Sequence, residues 1–91
     1  MPHQFTHDPQ EKNDYAFDWS QILAVGEAIL THDVSVSDDS LTVDTVSHTD
    51  SIVVYWVSDG VSGQRYMVTC HVSTNLGREL ERSARFLVND R

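Results

Sequence analysis

The chain has 91 residues, with 6 Lys+Arg against 14 Asp+Glu and hence a formal net charge of −8. That length supports one domain around one core and excludes a two-domain enzyme, and it leaves little room for a deep substrate cavity. The acidic balance disfavours nucleic acid, whose affinity for proteins rests on Lys and Arg releasing counterions, and no basic cluster is longer than a pair.

The N-terminus, Met1-Pro2-His3-Gln4-Phe5, has neither a basic n-region nor an apolar h-region, so a non-exported product is expected. The longest apolar run is Ile52-Val53-Val54-Tyr55-Trp56-Val57, far short of a membrane span, and no membrane partner is expected. Residues 1–14 surround one large apolar residue, Phe5, with prolines, histidines and charges, so they read as an extended arm that cannot build a core. Tyr15, Phe17 and Trp19 then alternate like an edge strand. This predicts that the block from Tyr15 closes the domain, with Phe17 and Trp19 in the core, while the arm reaches a partner. The candidate partner-binding residues are Phe5, Asp8, Pro9, Asp14 and Tyr15.

Ile22, Leu23, Val25, Ile29 and Leu30 fit a helical face after Ser20, but Gly26 interrupts it. The expectation is one turn near residues 20–23 and a strand from about Glu27. Val34-Ser35-Val36 and Leu41-Thr42-Val43-Asp44 read as short strands separated by the turn residues Ser37-Asp38-Asp39-Ser40. Ile52 to Val57 is β-branched and aromatic, and Ser58-Asp59-Gly60-Val61-Ser62-Gly63 after it predicts a hairpin. Tyr66, Val68, Cys70 and Val72 alternate with Met67, Thr69, His71 and Ser73, the pattern of a half-buried strand. Ala84, Phe86 and Val88 repeat it, and the intervening Thr74-Asn75-Leu76-Gly77-Arg78 predicts an antiparallel hairpin between the two.

About six or seven short strands with closely spaced turn signals indicate an all-β, immunoglobulin-like antiparallel β-sandwich over residues 15–91, preceded by the arm at 1–14. Trp56 is expected at the centre of its core. Tyr66, two residues before the inward Val68, has the position of a tyrosine-corner residue. Cys70 and Phe86 complete the expected core, Cys70 as a small buried hydrophobe.

No catalytic, cofactor or metal site is expected. Cys70 is the only cysteine, so no intramolecular disulfide forms. Cys70 and His71 are adjacent on a strand and point to opposite faces, which suits neither a shared ion nor a nucleophile–base pair. His32 and His48 sit alone near predicted turns and read as solvated surface residues. The many Asp residues lack calcium-loop spacing, and Gly60 and Gly63 precede a strand rather than a phosphate-binding helix.

Asp8-Pro9, the block Asp14-Tyr15-Ala16-Phe17-Asp18-Trp19-Ser20 and Gly26-Glu27-Ala28-Ile29 together resemble the phage fibre-tail adaptor proteins, small virion proteins of tailed bacteriophages. The likeness continues through Val54-Tyr55-Trp56-Val57-Ser58-Asp59-Gly60, Gly63-Gln64-Arg65-Tyr66-Met67-Val68-Thr69, Ser73-Thr74-Asn75-Leu76-Gly77-Arg78 and Arg82-Ser83. Asp59 stands where the pattern has a glycine, and Leu76 is bulkier than the usual small residue. The resemblance implies a non-enzymatic, immunoglobulin-like virion component that is assembled in the host cytoplasm and joins fibres or spikes to the tail. Its implied partners are other virion proteins and copies of itself. Two alternatives stay open, a head-surface or head-tail joining protein and a surface-binding immunoglobulin-like module.

Overall fold

Residues that alternate at period two send successive side chains to opposite sides of a strand, so each strand can bury one row and solvate the other. In the computed structural model, which describes residues 3–89, this patterning yields β1 (His3–His7), β2 (Lys12–Asp18), β3 (Ile29–Val36), β4 (Leu41–His48), β5 (Ile52–Asp59), β6 (Arg65–Thr74) and β7 (Glu79–Val88). One sheet has the order β1-β7-β6-β3 and the other β2-β5-β4. The chain is therefore the all-β sandwich expected from its sequence. Val53, Tyr55 and Val57 of β5 form one core with Val68, Cys70 and Val72 of β6 and Ala84, Phe86 and Val88 of β7, all buried.

The N-terminal segment departs from the expected arm. β1 pairs in parallel with β7, from His3 opposite Ala84 to His7 opposite Val88, and β2 pairs antiparallel with β5 along its whole length. Between them Asp8 makes a turn, accepting from Gln10 N–H at 2.8 Å through its side chain and from Glu11 N–H at 3.0 Å through its carbonyl. That turn carries the chain from one sheet to the other. Phe5 packs its ring on Tyr15 and Phe86, with centroids 4.9 and 5.1 Å away. One large apolar residue is too little for a separate core but enough to cover the edge of an existing one.

The tryptophan at the centre of the fold is Trp19, 1% exposed, and not Trp56. Trp56 is half-buried on the outer face of β5, with Asp14 and Asp44 as its register partners, while Tyr55 beside it is fully buried. The run Ile52–Val57 is apolar on both faces, so period two assigns no parity to it. Residues 60–64 also differ from expectation: they join β5 to β6 across the sandwich, because the two strands lie in different sheets. The hairpin on β5 is formed with β4 instead.

That crossing is held by Tyr66, whose hydroxyl accepts from Val61 N–H at 2.9 Å and bonds Ser40 Oγ at 2.6 Å, the tyrosine-corner arrangement. Gly60 precedes it at φ +99, where a Cβ would stand 2.8 Å from Val88 Cγ2. Asp59, in place of a glycine, takes φ 66 and accepts from Thr42 Oγ1 at 2.7 Å. Aspartate tolerates the left-handed region because its short side chain finds such local bonds.

Candidate docking surface

Trp19 ends β2 by swinging into the core, and its carbonyl accepts from Ile22 N–H at 2.9 Å and Leu23 N–H at 3.1 Å, the expected single turn. The chain then runs through Val25 and Gly26 to Glu27 before β3 starts. Opposite lies the β6–β7 hairpin loop, Asn75 to Arg78.

These two loops are bonded to each other by side chains. Glu27, with a side chain excluded from solvent, receives Arg78 on both carboxylate oxygens, Arg78 Nε lying 2.8 Å from Oε2. The same carboxylate accepts from Thr74 Oγ1 at 2.7 Å and from Ala24 N–H at 2.9 Å. The Arg78 guanidinium, with the Ala24 amide and the Thr74 hydroxyl, holds the Glu27 carboxyl down at about 2 against an ordinary 4.5. A buried charge survives only when paired and hydrogen-bonded in this way. Arg78 also reaches the Ile22 carbonyl at 3.1 Å. Asn75 adds a second clamp, accepting from Ala28 N–H at 2.9 Å and donating to the carbonyls of Ala28 and Gly26, each at 3.0 Å.

The clamped loops display apolar side chains. Ile22 is 41% exposed, Leu76 57% and Val25 fully so, with Leu30 at the start of β3 beside them in the chain. Single exposed apolar residues are ordinary, whereas several stand here on loops joined by an ion pair to the buried Glu27 carboxylate. Leu76 is thus the displayed residue of its hairpin, which explains how the loop accepts a bulky side chain where the resembled pattern has a small one.

The residues proposed from sequence for partner binding lie elsewhere. Phe5 and Tyr15 pack against Phe86, Asp8 builds the β1–β2 turn, and Asp14 lies exposed on β2 opposite Trp56. Pro9 follows Asp8 in that turn, near the far end of β7, since Asn89 N–H donates to the His7 carbonyl. Ile22 and Val25 have the sequence spacing of a helical face, and Gly26, at φ +78, is the signal that they belong to a loop.

Cys70 is fully buried, and burial pushes its thiol up to about 11, against the opposing effect of the Trp19 indole. It therefore lacks the thiolate character a nucleophile needs. Among the described residues no helix is long and apolar enough to cross a membrane.

The chain is thus a sandwich of immunoglobulin-like architecture with exposed apolar side chains on the loops of one end. The family model described as Podophage GP4 fiber-tail adaptor protein gp77 matches residues 7–87, and the chain belongs to that family of structural phage virion proteins. Among solved structures, the PKD domain from KIAA 1837 protein is similar at a TM-score of 0.58 and 13% identity, over 100% of this chain and 83% of that one. At that identity the likeness speaks for the fold alone. Comparison with the curated proteins gives no match.

Proposed function

We propose that this chain joins fibres or spikes to the tail of a podophage virion as a non-enzymatic adaptor present in several copies, and that the end formed by residues 19–28 and 75–78 seats it on a neighbouring virion protein. The observation that carries this reading is the exposure of Ile22, Val25 and Leu76 on loops joined by the ion pair between the buried Glu27 carboxylate and Arg78. A rigid apolar surface binds without paying for loop ordering at the moment of contact. Membership of the adaptor family supplies the class of neighbour, other tail or fibre proteins.

The test is the double substitution Val25→Asp with Leu76→Asp. Both side chains are exposed, so the isolated domain should keep its circular dichroism and lose no more than about 0.5 kcal/mol of stability. Incorporation into particles, or attachment of fibres to them, should fall sharply. Normal particles with full fibre occupancy would mean that another face carries the adaptor contact. Particles that lack the head-tail joint instead would favour the head-tail role.

A further inference from the structure

β3 and β4 are the outermost strands of opposite sheets on the same side of the sandwich, and each contributes one half-buried histidine to the seam between them. His32 and His48 stand with ring centroids 4.7 Å apart and planes at 76°. Their Nδ1 atoms converge to 2.5 Å. Two imidazoles that read from sequence as separate surface residues are thus one cluster, with two ring nitrogens aimed at a single point.

We propose that His32 and His48 form a two-histidine site for a borderline divalent cation of the zinc type, with ligation through Nδ1 of both rings. In the metal-free chain one proton occupies the shared position, carried by one Nδ1 and accepted by the other. For the cation to replace it, the proton moves to the Nε2 of the same ring, and a neutral pair releases none. Neither Nε2 has a protein partner among the described residues, so both are free to hold that proton. Zinc–nitrogen bonds of about 2.0–2.1 Å in tetrahedral geometry place two nitrogens about 3.3 Å apart, so the seam has to widen by less than about 1 Å. Rotation of two half-buried rings on edge strands supplies that. No third His, Cys, Asp or Glu joins the pair among the described residues, so water fills the remaining positions.

Imidazole nitrogen selects the later first-row ions over Mg2+ and Ca2+, and the net charge of −8 raises the local concentration of any cation. Bound there, the ion ties the free edge of one sheet to the free edge of the other. It would cross-link the two layers of a small domain whose single cysteine, Cys70, cannot.

Isothermal titration of the chelator-stripped protein with ZnCl2 should show one site per chain, and zinc should raise Tm. His32→Asn and His48→Asn should each weaken binding at least about tenfold. His71→Gln, on a residue that faces Glu79 at 3.3 Å, should leave it unchanged. Should either Asn variant unfold, long-range 1H–15N spectra of the wild-type imidazoles decide, because zinc must shift Nδ1 of both His32 and His48. No saturation below about 1 mM zinc, wild-type affinity in either Asn variant, or unmoved Nδ1 resonances would overturn the site and leave the pair as a proton-sharing hydrogen bond.

Discussion

The two tryptophans separate what size alone suggests from what position decides. Trp19 is buried to 1% exposure beneath the Arg82 guanidinium, which lies 4.9 Å from its ring, whereas Trp56 lies half-buried on an outer face. Trp19→Ala removes a core aromatic and should cost about 3–5 kcal/mol, a large part of a small domain's total stability. Trp56→Ala should cost about 1 kcal/mol, through lost cover of the β2–β5–β4 face. Urea denaturation followed by circular dichroism checks both, and equal losses would show that the β5 register is displaced by one residue. The same parity explains Cys70, inward on a strand whose alternation is unambiguous from Tyr66 to Val72.

At the scale of elements, the loop end is more stable while Glu27 is charged. Its carboxyl is held near 2 in the folded chain against 4.5 ordinarily, so the folded state favours the ionised form. The resulting stabilisation is complete above about pH 4.5 and disappears as pH falls toward about 2. Measured as Tm against pH, the wild type should lose stability across that window more steeply than Glu27→Gln, which has no carboxyl to protonate there. At neutral pH the variant should already melt lower, because the Arg78 guanidinium is left without its counter-charge. Parallel Tm profiles would show that the clamp does not hold the loops.

For the whole molecule, β1 matters more than its composition suggests. It covers the β7 edge and brings Phe5 onto Phe86, so the first and last strands of the domain complete one sheet. Deleting residues 1–8 should therefore lower Tm and expose β7 to edge-to-edge association, visible as oligomers in gel filtration. Phe5→Ala should cost about 2 kcal/mol, below the range for a fully buried phenylalanine because the ring is only partly covered. A truncated chain as stable and monomeric as the full one would restore the arm as a segment independent of the sandwich. With its pairings mostly between distant strands, the domain should fold in milliseconds to seconds, as all-β sandwiches do.

Legible in the sequence were the all-β class, the inward row of β6 and β7, the hairpin between them and the corner at Tyr66. Each rests on alternation or turn chemistry that acts within a few residues. Its resemblance to the adaptor family was legible too, carried by the block from Asp14 to Ser20. The tertiary structure alone decided the rest. Which face of Ile52–Val57 turns inward depends on the opposing sheet, because both faces are apolar. Residues 3–7 and 12–14 become strands because β7 and β5 offer unpaired edges, a condition that composition does not record. Pairing Glu27 with Arg78 needs loops from distant parts of the chain to lie side by side, and pairing His32 with His48 needs consecutive strands to enter opposite sheets. Local physics chose the strands, and long-range packing chose their neighbours.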